Sequence, residues 1–164
     1  MPRIRPFHTD DWPQVWAILE PVFRAGETYS LDRDISQDEA YRIWVTAPTA
    51  TFVCHDEGSI LGTYYIKPNH GGPGSHVCNC GYVVAPQARG RGLATAMCRH
   101  SQDQAHRLKF RAMQYNLVVS TNEGAVRLWE KLGFRTVGTL PGAFRHPTQG
   151  FVDAFVMFKT QEDG

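Results

Sequence analysis

A glycine-rich turn between a strand and a helix constrains the fold of this chain more than any other segment. The strand His76–Val84 leads into the hexapeptide 89–94 (RGRGLA), and a helix then runs to about Leu108. A turn of this kind points successive backbone N–H groups into one concavity, where the helix dipole adds partial positive charge. Gly90 and Gly92 let the backbone approach an anion without Cβ collisions. The segment therefore predicts a site for a phosphate or pyrophosphate group.

Two other phosphate-binding motifs do not fit this turn. A Walker A loop requires the pattern GxxxxGK[ST], which the sequence does not contain. A Rossmann fingerprint requires a third small residue where Thr95 stands, and an acid at the end of the next strand, which ends at Val119. The sequence therefore favours neither a P-loop nor a Rossmann unit.

The order of the predicted elements favours an α+β fold in one domain spanning residues 1–164. A strand, Arg3–Phe7, precedes two helices that begin near Pro13 and Ser36. The later elements are a hairpin of Thr51–His55 and Ser59–Ile66, the strand His76–Val84 with its helix, the strand Ala112–Val119, the helix Asn122–Leu132, and the strands Arg135–Leu140 and Asp153–Lys159. This order implies a mixed, mostly antiparallel sheet with one parallel crossover. Residues 144–147 are expected to form a loop before the last strand.

Two motifs together resemble the GCN5-related N-acetyltransferase (GNAT) family. Residues 89–94 match the signature [QR]-x-x-G-x-[GA], and residues 122–134 (NEGAVRLWEKLGF) resemble the helix pattern N-x-x-A-x-x-L-Y-x-K-x-G-F. The motifs stand in the family's order with one strand between them. The resemblance implies a GNAT-type sheet, splayed at its parallel crossover to hold acyl-CoA, and the activity of an acetyl-CoA-dependent N-acetyltransferase.

In this family the pantetheine of acetyl-CoA lies between the two splayed strands, here His76–Val84 and Ala112–Val119. Backbone groups around Val83 and Val84 are expected to pair with it like a missing strand, and a bulge near Gly81 is expected to aim an N–H at the thioester carbonyl. By resemblance, the cofactor-binding residues are Val83, Val84, Arg89, Gly90, Arg91, Gly92, Leu93, Ala94, Thr95, Asn116, Asn122, Ala125 and Trp129.

The resemblance also implies direct attack of the amine on the thioester, with no acyl-enzyme. Many relatives use a tyrosine of the second motif to protonate the CoA thiolate, but this chain has Trp129 there. Because an indole N–H does not donate a proton at neutral pH, that role is not carried over. Asn122 could hydrogen-bond near the sulfur, and water could supply the proton. Glu27 is a candidate base for the amine proton, and Asn116 is a further candidate catalytic residue.

Two asparagines interrupt the apolar parallel strands, Asn79 in the first and Asn116 in the second. A buried Asn needs hydrogen-bond partners, which are either protein groups or a substrate. Residues 67–69, 75–79 and 116–118 resemble the GNAT branch containing fungal acetyltransferases of proline analogues such as azetidine-2-carboxylate, which favours the substrate role. The expected substrate-binding residues are Asn79, Tyr29, Arg33 and His146. For the last two, an ordinary surface or structural role stays open.

Charge and composition narrow the class of partner. Seventeen basic and 16 acidic residues leave a formal charge of +1, and without a Lys/Arg block we expect no nucleic-acid or membrane partner. The sequence shows no signal-peptide h-region and no apolar run of the roughly 18 residues that a membrane helix needs, which favours a cytoplasmic protein. The four cysteines lack zinc-type spacing, so we expect buried free thiols and no metal.

These observations predict an N-acetyltransferase that transfers the acetyl group of acetyl-CoA to a small amine, such as a free amino or imino acid. Because family members are often dimers, a homodimer is also expected. Two alternatives stay open. One is a transferase acting on protein N-termini or lysines, which requires an open groove. The other is a non-catalytic CoA-binding module, which the missing tyrosine allows.

Overall fold

The computed structural model describes residues 1–161, which form a mixed sheet with helices on both faces. The strands are β1 (Arg3–Pro6), β2 (Ala50–Asp56), β3 (Ser59–Pro68), β4 (Val77–Val84), β5 (Ala112–Val119), β6 (Arg135–His146) and β7 (Gly150–Thr160). The helices are α1 (Trp12–Ala25), α2 (Gln37–Tyr41), α3 (Leu93–Arg107) and α4 (Glu123–Lys131), and a π-helical segment, Arg42–Thr46, continues α2.

The strand order in the sheet is β1-β2-β3-β4-β5-β7-β6. Neighbours β4 and β5 are parallel and are joined through α3, whereas the other neighbouring pairs are antiparallel. Because α3 must return the chain from the end of β4 to the start of β5, it packs on the sheet over β3 and β4. The predicted α+β fold with one parallel crossover is confirmed.

Alternate side chains of β3 show which helices cover each face of the sheet. Tyr64 points toward α3, where its hydroxyl lies 2.7 Å from Nδ1 of His100. Tyr65 points to the opposite face, where its ring centroid lies 4.8 Å from that of Trp44 in the π-helical segment. The α1–α2 layer and α3 therefore lie on opposite sides of the sheet.

The last two strands are longer than the sequence predicts. Strand β6 continues past Leu140 to His146, and β7 begins before Asp153. The loop predicted at residues 144–147 is therefore wrong for its first three positions. Pairing with β7 holds this segment extended across a register shift that follows Leu140. The edge strand β6 tolerates Pro141 because this residue lies within the register shift and pairs with no residue of β7, so its missing N–H removes no ladder bond.

The four cysteines, Cys54, Cys78, Cys80 and Cys98, are buried and unpaired, as predicted. Within residues 1–161, no helix is both long and apolar enough to cross a membrane. The same part of the chain holds no group of three or more His, Cys, Asp or Glu side chains arranged for a metal ion. The expected homodimer stays a prediction.

A buried pair of hydrogen bonds ties the π-helical segment to the sheet. The Trp44 Nε1–H donates to Thr63 Oγ1 at 3.0 Å, and the Thr63 hydroxyl donates to the Phe52 carbonyl at 2.9 Å. Both Thr63 and Trp44 are almost fully buried. Thr63→Val keeps the shape of the side chain but leaves the indole N–H without a partner. We expect it to lower the free energy of unfolding by about 1–3 kcal/mol, measured by urea denaturation.

The matched control is Thr139→Val, since Thr139 is exposed on β6. It should change the free energy of unfolding by less than about 0.5 kcal/mol. Equal effects of the two substitutions would contradict a structural role for the Thr63 hydroxyl.

Candidate active site

The sheet opens between β4 and β5. Each of these strands has eight residues, but they pair at two positions, Val77 with Ala112 and Cys78 with Met113. Beyond this point β4 pairs with β3 alone and β5 pairs with β7 alone. The splay expected from the family resemblance is therefore present, and it leaves one backbone edge of β4 without a neighbouring strand.

The bulge beside this opening lies in β5 rather than in β4. The β3–β4 register runs without a shift along all of β4, so the prediction of a bulge near Gly81 is wrong. Gly81 is instead required by packing, because a Cβ there would lie 2.5 Å from Cε2 of Tyr65. The β5 register shifts against β7 between Tyr115 and Val118. A bulge bends its strand, so β5 turns away from β4 here.

The direction of the backbone decides which β4 groups face the opening. The Ala85 N–H, just after β4, donates to the Leu61 carbonyl in β3, and backbone direction alternates along a strand. The odd-numbered residues of β4 therefore face β3. Val83, which we expected to pair with the cofactor, belongs to this set, so that prediction is corrected. The residues whose N–H and C=O groups face the gap are Cys80, Tyr82 and Val84.

The gap forms part of a cleft of about 970 Å³ that passes through the sheet. On the α1–α2 face its walls are aromatic and include Tyr29, Trp44 and Tyr65. On the other face the walls include Tyr82, Tyr115 and Trp129, whose rings pack together with centroids 5.1–5.9 Å apart. The volume lies at the upper end for ligand pockets, which gives room for parts of two substrates.

The glycine-rich turn forms one end of the cleft at the start of α3. Gly90 and Gly92 have φ angles of +77° and +76°, the left-handed region that favours glycine, and a Cβ at either position would meet no atom within 4 Å. The first N–H groups of α3 have no intrahelical acceptor, so they are free to bind an anion. Arg89 lines the same end of the cleft and is exposed. This end is therefore suited to phosphate groups.

Comparison with known proteins agrees with this geometry. Residues 12–134 match the sequence model of the acetyltransferase (GNAT) family. The chain belongs to the GNAT family. It is therefore an N-acetyltransferase, in the acyltransferase class of enzymes, and its family uses acetyl-CoA. N-acetyltransferase aca1 of Schizosaccharomyces pombe is 33% identical over 148 residues, which cover 80% of this chain and 71% of that protein.

Solved structures of other acetyltransferases have the same fold as this GNAT protein. A GCN5-related N-acetyltransferase from Kribbella flavida has 41% sequence identity, covers 97% of each chain and superimposes with a TM-score of 0.93. The acetyltransferase yncA of Salmonella typhimurium, solved with its cofactor acetyl-CoA, has 19% identity, a TM-score of 0.83, and covers 100% of this chain and 96% of its own. The second likeness shows the fold alone.

Most of the predicted cofactor residues gather in the cleft. Those that line it are Val83, Val84, Arg89, Gly90, Ala94, Asn116, Asn122, Ala125 and Trp129. Gly92, Leu93 and Thr95 lie at the N-terminus of α3, where the Leu93 side chain is buried in the core. Arg91 instead forms an ion pair with Asp56, in which its Nη2 lies 3.6 Å from Asp56 Oδ2. The contribution of Leu93 to an anion site is thus limited to its backbone N–H group.

Asn79 and Asn116 both line the cleft, but protein groups already bond to them. Asn79 is 8% exposed; its Nδ2 donates to the Gln114 carbonyl at 2.9 Å, and its Oδ1 accepts from the Tyr65 hydroxyl at 3.3 Å. Asn116 is exposed, and its Nδ2 donates to Oδ1 of Asn69 at 2.6 Å. Their roles toward a substrate stay predictions.

Two predicted substrate-binding residues lie outside the cleft. His146 ends β6, and its Nδ1 accepts the N–H groups of Thr148 and Gln149 at 3.2 Å, which stabilises the β6–β7 turn. Arg33 donates through Nε to the Arg24 carbonyl at 2.8 Å, so it braces the end of α1. Both side chains bond to backbone groups of nearby turns, and Arg33 also lines a smaller cavity of about 250 Å³ that it shares with Tyr29. Their roles toward a substrate stay predictions.

Tyr29 and Glu27, from the connection after α1, do line the cleft. The Tyr29 hydroxyl donates to the Tyr82 carbonyl at 2.8 Å, one of the β4 groups that face the gap. Glu27 is exposed. Burial raises the pKa of Tyr29 well above the ordinary tyrosine value, so its hydroxyl stays protonated at neutral pH.

The rings of Tyr82 and Tyr115 pack on Trp129, and their hydroxyls bond to other core groups. They lie 2.8 Å from each other, and that of Tyr82 lies 2.6 Å from Oγ of Ser101 in α3. Burial raises the pKa of both tyrosines well above the ordinary value. Both hydroxyls are therefore protonated at neutral pH, and both are engaged by other protein groups.

Tyr65 and Lys67 also line the cleft, although they are not among the site residues predicted from the sequence. Both are on β3, at alternate positions from Thr63, so they point to the same face as Trp44. The alternation of β3 was a usable signal for this face. Its pairing with β4, which places Lys67 opposite Asn79, depends on the register and could not be obtained from the local sequence.

Gly92→Ala tests the anion site. Alanine is strained by about 1–2 kcal/mol at this left-handed φ, and relaxation of the turn would redirect the first N–H groups of α3. We expect acetyl-CoA affinity to fall at least about tenfold, measured by isothermal titration calorimetry, as one charge-assisted hydrogen bond contributes about 1.5–3 kcal/mol.

Gly150→Ala is the matched control, because Gly150 has a φ of +74° in the β6–β7 turn and no atom within 4 Å of the added Cβ. It should cost similar stability but leave acetyl-CoA affinity unchanged. An unchanged affinity in Gly92→Ala would refute the assignment of this turn.

Proposed function

We propose that this GNAT enzyme acetylates the amino group of a small, carboxylate-bearing amine such as a free amino or imino acid. Acetyl-CoA supplies an activated acyl thioester. The cleft suits its chemistry: the α3 N-terminus and Arg89 offer positive charge for phosphates, and the open β4 edge offers backbone donors and acceptors for an amide-containing arm. The backbone groups that pair with this arm are those of Cys80, Tyr82 and Val84, and not those of Val83.

The proposed class of substrate follows from the charged side chains of the cleft, first of all Lys67. Lys67 is half-buried at the cleft wall, with its Nζ 5.4 Å from the centroid of the Tyr65 ring. Within residues 1–161, no carboxylate oxygen lies within 4 Å of the Lys67 ammonium. A half-buried ammonium without a protein counter-ion attracts an anion, and a substrate carboxylate fits that need. Lys67 thus takes the role first assigned to Arg33.

Glu27 complements Lys67 with a negative charge in the same cleft. An acceptor that carries both an ammonium and a carboxylate matches these two side chains, and the aromatic walls exclude water around its body. The resemblance of residues 67–69, 75–79 and 116–118 to acetyltransferases of proline analogues supports the same class of acceptor.

Acetyl transfer then needs three proton movements and one polarised carbonyl. Glu27, directly or through water, accepts a proton from the ammonium, and the free amine nitrogen bonds to the acyl carbon. As the C–S bond breaks, the nitrogen loses its second proton to water, and the CoA thiolate receives a proton from water, since Trp129 cannot supply it. The backbone N–H of Cys80, at the point where β4 loses its neighbour, is placed to donate to the developing oxyanion. Asn122 and Asn116 line the same cleft, where they hydrogen-bond to the bound acetyl-CoA or acceptor.

A thiol-release assay with acetyl-CoA tests the function. The panel contains free amino acids and proline analogues, the amides of the same compounds, polyamines and short peptides. We expect turnover with the carboxylate-bearing amines and much less with their amides. Turnover confined to peptides would identify a protein-directed transferase instead, and tight CoA binding with no turnover on any amine would favour a non-catalytic module.

Lys67→Met removes the ammonium but keeps an unbranched side chain in the cleft. We expect the KM for an amino-acid acceptor to rise about 10- to 100-fold, with little change in the KM for acetyl-CoA, because a charge-assisted hydrogen bond contributes about 1.5–3 kcal/mol. Steady-state kinetics measure both constants. Lys131→Met is the control, because Lys131 is exposed at the end of α4. Equal kinetics for the two variants would remove Lys67 from the acceptor site.

A further inference from the structure

The point at which the β4–β5 ladder stops is defined by single hydrogen bonds. The pairs Val77 with Ala112 and Cys78 with Met113 require the even-numbered β4 groups to face β5, and Gln114 N–H is then the last donor, to the Cys78 carbonyl. The next rung of a parallel ladder would run from the Cys80 N–H to the Gln114 carbonyl. That pairing is not made.

The Asn79 side chain takes the place of this rung. Its Nδ2 donates to the Gln114 carbonyl at 2.9 Å, so the acceptor that the Cys80 N–H would use is already occupied. The Asn79 amide can replace the Cys80 N–H in this bond, since a side-chain amide N–H and a backbone N–H are equivalent donors. The ladder therefore ends with its last carbonyl satisfied and with the Cys80 N–H facing the cleft.

The surroundings of Asn79 hold its amide in this orientation. The Tyr65 hydroxyl donates to Asn79 Oδ1 at 3.3 Å, which fixes the oxygen on the β3 side and the nitrogen on the β5 side. The Tyr65 ring lies over Gly81, where a Cβ would approach it to 2.5 Å, and it packs against Trp44. Asn79 is 8% exposed, so solvent does not compete strongly for its amide.

We infer that Asn79 is a positioning residue: its side-chain amide caps the Gln114 carbonyl and so keeps the Cys80 N–H free to polarise the acyl carbonyl. This inference rests on the proposed function for the use of the Cys80 N–H, but not for the capping itself. Without the Asn79 amide, the Gln114 carbonyl loses its partner, and the Cys80 N–H is the nearest donor in sequence register. Pairing between them adds a rung and closes the start of the cleft.

Two substitutions separate this role from simple packing. Asn79→Leu keeps the size and branching of the side chain without its amide, and Asn79→Ala removes the amide without adding bulk. Gln149→Leu, in the exposed β6–β7 turn, is the control. The first readout is amide hydrogen exchange at Cys80 in the protein without substrates, which does not depend on any acetyl transfer. The second is kcat with acetyl-CoA and the best acceptor.

We expect the Cys80 amide to exchange at least tenfold more slowly in both Asn79 variants than in the native protein, and kcat to fall about 100-fold or more, as on loss of an oxyanion donor. The native protein should also show a scalar coupling through the hydrogen bond from Asn79 Nδ2 to the Gln114 carbonyl carbon. A coupling from Cys80 N to that carbon in the native protein would overturn the inference. Native-like Cys80 exchange in folded Asn79→Leu would overturn it as well. Slowed exchange in a protein that acetylates no amine would support the capping and refute only the proposed function.

Discussion

The hydrogen bond from Asn79 Nδ2 to the Gln114 carbonyl is the contact on which the site depends. In a parallel strand pair, each unmade rung leaves a backbone donor and an acceptor that need other partners. Here the acceptor is capped by a side chain, and the donor is left for a ligand. The bulge in β5, between Tyr115 and Val118, carries the strand away beyond that point. The cleft is thus an interruption of the sheet at which the Gln114 carbonyl is hydrogen-bonded and the Cys80 N–H faces the cleft.

The two ends of this cleft differ in charge for separate structural reasons. The phosphate end derives its positive charge from the start of α3 and from Arg89, both of which follow directly from the glycine-rich turn. The acceptor end carries Glu27 from the loop after α1 and Lys67 from the end of β3. Because residues on both faces of the sheet line the cleft, the proposed function has the cofactor and the acceptor approach the same backbone edge from opposite faces. This arrangement fits direct transfer without an acyl-enzyme.

The glycine-rich turn and the motif of α4 could be predicted from the sequence, because their residues are local. The turn at 89–94 and the helix at 122–134 are continuous segments whose backbone conformation depends on their own glycines and caps. The acceptor half depends on contacts between distant residues, which local sequence patterns do not reveal. Asn79 finds its partners 14 and 35 residues away, and Arg33 and His146 turned out to support nearby turns. The predicted strand Arg135–Leu140 is shorter than β6, because pairing with β7, rather than the local sequence pattern, keeps the later residues extended.

The most direct test of this account is the exchange of individual β4 amides with and without acetyl-CoA. In the free protein the amides of Gly81 and Val83 should already be protected by β3, whereas those of Cys80, Tyr82 and Val84 should exchange faster. Saturating acetyl-CoA should slow exchange at the even-numbered set and leave the odd-numbered set unchanged. Protection that appears at Val83 and not at its even-numbered neighbours, or no change along β4, would contradict the assignment of this edge as the place where the acyl donor binds.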